Sequence, residues 1–242
     1  MEPVLQISDI SVSFGGLAAL SNVSFSVAGS EILGVVGPNG AGKSTLFAAI
    51  CGDVAADAGE IQLKGRTLSG KSSYDVARLG LVRTFQTPRP FSSMTFLENV
   101  TVAALSHTGS MKIARQRGEV ALERVGLGDC RDRPSSGAST GQRKRLDIAR
   151  TLATDPHVLL LDEPLGGVDP GSIEEMIGLL RQIRSEGTTL VVIEHNLDAL
   201  TDIADRLIAM TLGQKIADGS PSDVMKDERL MRAYLGDDDV PA

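Results

Sequence analysis

Ile10, Val12 and Phe14 alternate with polar neighbours, and beyond the Gly15-Gly16 break Val23, Phe25 and Val27 alternate again. A period of two, punctuated by glycine, marks half-buried strands. The opening of the chain therefore predicts a small antiparallel sheet, joined later by Glu60 to Leu63. The pattern then changes. Ile32 to Val36 is nearly all apolar, as expected of a strand covered on both faces of a parallel sheet, and a glycine-rich turn leads into a helix from about Lys43 to Cys51. Leu81 to Val82 with its flanks, Val158 to Leu161 and Leu190 to Ile193 share that character, and they run out into Gln86, the pair Asp162 and Glu163, and His195. An open parallel sheet binds its ligands beyond the carboxyl ends of its strands. Parallel pairing would bring these polar ends and the glycine turn to one edge.

No buried strand is predicted between Thr87 and Arg150. Met94 to Leu105 and Met111 to Val125 read as helices, the second with Ile113, Val120 and Val125 among its apolar positions. The stretch of about 87–150 is expected to be a helical insertion within one domain covering residues 1–242. A cleaner helix runs from Pro170 to Arg184: Asp169 caps it, Pro170 suits its first position, and Gly187 stops it. Ile173, Met176, Ile177, Leu180 and Ile183 form its inward stripe. Leu207 to Met210 and Gln214 to Ala217 predict a strand pair, short helices follow, and Asp237 to Asp239 read as a solvated tail.

Composition narrows the function classes. The 242 residues are 42% apolar and 23% charged, which excludes wholesale disorder. A net charge of −7 argues against a nucleic-acid coat, which needs a basic surface, so no nucleic-acid partner is expected. The apolar runs are too short to span a bilayer, and Met1 to Ile10 has neither the basic start nor the apolar core of a signal peptide. Two cysteines far apart, Cys51 and Cys130, and three scattered histidines predict a reduced cytosolic compartment with no disulfide and no zinc.

The chemistry starts at Gly37-Pro38-Asn39-Gly40-Ala41-Gly42-Lys43-Ser44, which fits G-x-x-x-x-G-K-[ST] between a buried strand and a helix. Its glycines let backbone N–H groups form an anion nest, and the helix start adds roughly half a positive charge. Lys43 supplies a full charge toward the β- and γ-phosphates, and the Ser44 hydroxyl is placed for Mg²⁺. Asp162, at a strand tip, can hold a water of the Mg²⁺ shell, while Glu163 can polarise a water for in-line attack on the γ-phosphate. Gln86 could reach the metal or the attacking water, and His195 the γ-phosphate, if the strand ends converge. Phe14 fits either a core face or a ring stacked on adenine, and periodicity leaves both open. Ser139-Thr140-Gly141-Gln142 opens another helix as a further anion site, and Arg143-Lys144-Arg145 behind it reads as a solvated face.

In that order, Phe14, the cradle from Gly37 through Ser44 and Thr45, Gln86, the Ser139 to Gln142 signature, Asp162-Glu163, Asp169 and His195 resemble ATP-binding cassette (ABC) ATPases over nearly the whole chain. The signature separates this family from other P-loop proteins, and its first position, Ala138, departs from the usual Leu. The resemblance implies an α/β fold: a P-loop, RecA-like core with an antiparallel β subdomain and a helical subdomain. It implies ATP and Mg²⁺ as ligands and a head-to-tail dimer, homo- or heteromeric. Each ATP would then be covered by the partner's signature, through Ser139, Gly141 and Gln142. It assigns Phe14 to adenine, Gln86 to the link between metal site and membrane partner, Asp169 to the dimer contact and His195 to the γ-phosphate.

Looser motifs, Val82 to Gln86, Met94 to Val100, Ile193 to Asn196, Ile216 to Pro221 and Ala233 to Gly236, resemble the ATPase subunits of branched-chain amino acid importers. That likeness implies separate permease subunits contacting about Gln86 to Asn99, an indirect periplasmic binding protein, and a place on the inner face of the cell membrane. The alternative within the family is a soluble ATPase driving assembly, such as an iron–sulfur scaffold ATPase. A GTPase or kinase is disfavoured, since there is no N-K-x-D motif and a kinase gives no reason for the signature.

Overall fold

The computed structural model describes residues 3–235, so the acidic run Asp237 to Asp239 and Gly236 lie outside the described residues. The first sheet is antiparallel. It is built from β1 (Leu5–Phe14), β2 (Leu17–Val27), β4 (Ala58–Leu63) and β5 (Arg66–Thr67) in the order β2-β1-β4-β5. Leu5 pairs with both Val27 and Leu63, and a register shift between Ile7 and Ile10, where Asp9 has φ +51°, brings Leu5 and Ile7 and then Ile10 and Val12 into the same buried core.

The second sheet carries the site. Its strands are β3 (Ile32–Val36), β6 (Leu81–Arg83), β7 (Val158–Asp162), β8 (Thr189–Ile193), β9 (Arg206–Thr211) and β10 (Gln214–Gly219), in the order β10-β9-β3-β8-β7-β6. Only β10 runs antiparallel to its neighbour; the other pairings are parallel. The all-apolar strands are explained by burial on two sides. Leu33, Val35, Leu160, Val191 and Ile193 face a core shared with the antiparallel sheet, while Ile32, Val36, Leu161, Leu190 and Val192 face a core shared with helices. The predicted pair Leu207 to Met210 and Gln214 to Ala217 is present, and β9 is also a parallel neighbour of β3 inside this sheet.

The helices are α1 (Lys43–Ile50), α2 (Ser73–Arg78), α3 (Phe96–Thr108), α4 (Met111–Arg124), α5 (Thr140–Leu152), α6 (Pro170–Ser185), α7 (Leu197–Ile203), α8 (Pro221–Val224) and α9 (Glu228–Leu235). The insertion between β6 and β7 is helical as expected, formed by α3, α4 and α5. Within α4 the inward positions are Ala114, Gly118, Ala121 and Leu122, while Ile113 and Val120 are 46% and 59% exposed. Small residues face inward there because α3 lies close: a Cβ on Gly118 would stand 3.1 Å from Leu97 and 3.2 Å from Thr101. In α6, Asp169 Oδ1 accepts from Ser172 N at 3.1 Å, the cap read from the sequence.

Gly34, in the middle of β3, has no room for a side chain: a Cβ would lie 2.3 Å from Leu207 and 3.0 Å from Leu200, both buried. Gly34→Val is therefore expected to cost about 1–3 kcal/mol by overpacking. Urea unfolding checks it, and an unchanged midpoint would mean that Leu207 of β9 and Leu200 of α7 yield freely.

Candidate functional site

Four strand ends and one helix start build the site. After β3 the chain turns through Gly37, where φ is +150° and a Cβ would lie 2.2 Å from the Met210 carbonyl oxygen. The loop closes at Gly42, which caps α1 in a left-handed conformation at φ +99° and offers no capping side chain. Helices α2 to α8 differ: each is capped by a Ser, Thr, Asp or Asn oxygen. The N–H groups that open α1 are thus left for an external anion, at the positive end of the helix dipole. Lys43 is buried and donates from Nζ to the carbonyls of Gly37 at 2.6 Å and Pro38 at 3.0 Å. Burial pulls its pKa down, while the carboxylates of Glu163 and Asp162 act in the opposite direction. The ammonium therefore lies over the loop, within the field of both acids.

Asn39 to Thr45 line a cleft of about 880 Å³ that also takes in Gln86, Glu163 and His195. The predicted convergence of strand ends is present. Glu163 follows β7 at φ +51°, a left-handed conformation unusual for a side-chain-bearing residue. Its Oε1 accepts from Gln86 Nε2 at 2.9 Å and lies 2.9 Å from His195 Nε2. Asp162 points elsewhere, as adjacent strand residues do. Its Oδ2 accepts from Arg83 at 2.6 Å, and with Ser44 it lines a neighbouring cavity of about 490 Å³. A hydroxyl and a carboxylate are hard oxygen donors of the kind Mg²⁺ takes, and the uncapped helix start with Lys43 fits a polyphosphate.

Phe14 is 51% exposed at the end of β1, opposite Leu17, which removes the core reading. It does not itself line the cleft; Leu17, Ala18 and Leu212 are among the apolar residues that do. Gly37 and Pro38 sit at the root of the cradle, bonded to Lys43. Ser139, Gly141 and Gln142 are not brought to the cleft either. Ser139 Oγ accepts from Gln142 N at 3.2 Å and Gln142 Oε1 accepts from Ser139 N at 3.0 Å, a reciprocal capping box at the start of α5. Ala138 is buried in the helical core, so the small residue is packed.

Sequence reasoning missed three charged groups. Arg83 pairs with Asp162, and its guanidinium lies 5.6 Å from the Phe47 ring and 5.9 Å from that of Phe85. Glu194 is 3% exposed, and its carboxylate accepts from Leu165 N at 2.5 Å and His195 N at 3.1 Å. Lys144 corrects an expectation. The run Arg143 to Arg145 is not a solvated face, because Lys144 is 6% exposed and its Nζ donates to the carbonyls of Gln86 at 2.6 Å and Glu163 at 2.7 Å. The signal was in the helix period: Lys144, Ile148 and Leu152 share one buried face of α5.

The sequence profile described as ABC transporter matches residues 20–166. The chain belongs to the ABC transporter family. This ABC chain is 36% identical over 252 aligned positions to the high-affinity branched-chain amino acid transport ATP-binding protein LivG of Salmonella typhimurium, covering 98% of this chain and 99% of that protein. It is 34% identical to BraF of Pseudomonas aeruginosa, which bears the same description, over 97% of this chain and 98% of that one. Among solved structures, the ADP conformation of MJ1267, an ATP-binding cassette of an ABC transporter, superposes with a TM-score of 0.89 at 31% identity. That match covers 98% of this ABC chain and all of the other. The fold is the ABC ATPase fold, with a RecA-like P-loop core, an antiparallel sheet and a helical subdomain.

Proposed function

We propose that this chain is the ATP-hydrolysing subunit of an importer for branched-chain amino acids or a related small molecule. The observation that carries hydrolysis is the meeting of Glu163, Gln86 and His195 around one carboxylate oxygen, at the cleft that the phosphate cradle lines. The cargo assignment rests on the end-to-end likeness to LivG and BraF.

The residues divide the work as follows. The α1 N–H groups and Lys43 hold the triphosphate, with Gly37 and Pro38 fixing Lys43 and Asn39 to Thr45 lining the cradle. Ser44 and Gln86 would hold Mg²⁺ and Asp162 a water of its shell, and the ion would neutralise phosphate charge when bound. Glu163 orients and deprotonates the attacking water, and His195 donates to the γ-phosphate. Phe14 lies against the adenine from the rim beside Leu17. Positioning and charge stabilisation are enough for phosphoryl transfer, which asks little covalent chemistry of the protein.

The signature residues Ser139, Gly141 and Gln142 act on the ATP of a second cassette subunit, identical or related, in a head-to-tail dimer contacted also through Asp169. Residues 1–242 act as one domain, with the helical part of about 87–150 inserted in it. Among the described residues no helix is long and apolar enough to cross a membrane, so membrane passage falls to separate permease subunits, with a periplasmic binding protein behind them. They dock at the inner membrane face on the exposed part of the segment from Gln86 to Asn99. Gln86, Thr87, Arg89 and Phe91 are exposed there, while Phe96, Leu97 and Asn99 are buried and serve the fold. Asn99 is committed to it, accepting from Phe91 N at 2.8 Å and donating to the Thr95 carbonyl at 2.9 Å.

Ser139→Arg tests the shared site. Nucleotide binding by the isolated subunit is expected to stay within about twofold, while turnover by the dimer falls about tenfold to a hundredfold, the effect of misplacing one group at a reacting centre. Equal loss of both activities would place Ser139 at its own chain's nucleotide and sink the two-chain arrangement.

A further inference from the structure

A buried ammonium is costly unless its protons are satisfied, and buried lysines normally pair with a carboxylate. Lys144 does not. Among the described residues no carboxylate oxygen makes an ion pair with it, and its two hydrogen bonds go to main-chain carbonyls, those of Gln86 and Glu163. Burial pushes its pKa down, against the more distant charges of Glu194, Glu163, Asp147 and Asp162.

The two carbonyls are not arbitrary. Glu163 holds its left-handed φ of +51° through main-chain bonds: its N–H donates to Ile193 O at 2.9 Å, and its carbonyl accepts from Gly166 N at 3.1 Å and from Lys144. Such a conformation persists only where its surroundings over-determine it. The buried Glu194 carboxylate accepts from Leu165 N, two residues beyond Glu163, and from His195 N. One buried cation gathers carbonyls and one buried anion gathers amides, and the Glu163 side chain is aimed by both.

Lys144 also belongs to α5, the helix that Ser139 caps. Lys144 lies five positions after Ser139, about 7.5 Å along a rigid axis. We propose that Lys144 is a positioning residue that ties the signature helix to the Glu163 and Gln86 loops of its own chain, so that α5 must be seated before Glu163 and Gln86 are aligned for hydrolysis. This deepens the ATPase reading above and rests on it. A ligand or partner pressing on Ser139 then bears directly on the chain's own Glu163, without a change in how tightly the cradle holds phosphate.

The test is a double-mutant cycle on the full chain. Lys144→Met keeps the stem and removes the charge and donors; it is expected to lower kcat about tenfold with ATP affinity unchanged within about twofold. Placed on Glu163→Gln, the same change is expected to lower turnover by less than about twofold more, because most of its effect passes through the Glu163 carboxylate, to which Gln86 also donates. Lys144→Arg, which restores donors and charge, should recover most of kcat. A general packing defect would instead multiply with Glu163→Gln and would not be rescued by Arg. Wild-type kcat in Lys144→Met, or a full tenfold loss on both backgrounds, overturns the inference. If Lys144→Met melts early, Lys144→Gln, which retains an amide donor, runs the same cycle. Absence of hydrolysis in the unmodified chain would instead refute the ATPase reading, an outcome distinct from either of these.

Discussion

Glu163→Gln is expected to lose about 10²–10⁴-fold in turnover, the usual contribution of a general base, while binding ATP as the unmodified chain does. The substitution is isosteric and leaves the cradle untouched. What it removes is a negative oxygen that accepts from Gln86 Nε2 and sits 2.9 Å from His195 Nε2. An amide at that place cannot take a proton from water, whichever way it turns. The binding energy of the triphosphate is thus retained while the exit by hydrolysis is blocked. The ATP-bound dimer should accumulate as a species of doubled mass in sedimentation, and phosphate release should fall by that factor to a slow, still measurable rate. Turnover at the wild-type level would remove Glu163 from the chemistry. Monomers at saturating ATP, with turnover lost, would keep its chemical role and reject the closed dimer.

The parts of the fold that were legible in the sequence are those set by local pattern. Ile32 to Val36 read as a two-sided strand because each of its four side chains has to satisfy one of two cores. The α6 helix was legible because Asp169, Pro170 and Gly187 mark its ends chemically. The site was legible where chemistry needs a fixed spacing, as in the cradle and the Asp162-Glu163 pair. What escaped depends on distant contacts. That β9 joins the central sheet beside β3 follows from pairing across most of the chain, for which no local residue speaks. The six-residue α2 buries only Val76, too little to show a period. In α4 the close approach of α3 selects Ala114, Gly118 and Ala121 for the inside and leaves Ile113 and Val120 outside, reversing what hydrophobicity alone implies. Lys144 escaped because a charged run is normally solvated; it is buried only because the Gln86 and Glu163 loops present carbonyls to it.

Lys43→Ala is expected to weaken ATP binding about 30- to 5,000-fold, the range for truncating one partner of a buried charge contact. A helix dipole offers about half a charge, spread over several N–H groups. On a chain of net charge −7, with Glu163 lining the cleft and the charge of Asp162 also acting on Lys43, that half charge does not balance a triphosphate. Among the described residues, Lys43 supplies the one full positive charge whose ammonium is bonded into the cradle itself, to Gly37 and Pro38. Its loss should therefore fall on the phosphates and spare the base. Calorimetric titration separates the two: affinity for inorganic tripolyphosphate should drop by the same factor as affinity for ATP, while adenosine binding stays as it was. Helix α1 has four further buried residues, Leu46, Phe47, Ala49 and Ile50, so the variant is expected to fold, and its melting temperature without nucleotide checks that directly. If ATP binds Lys43→Ala as tightly as it binds the unmodified chain, the cradle is not the triphosphate site.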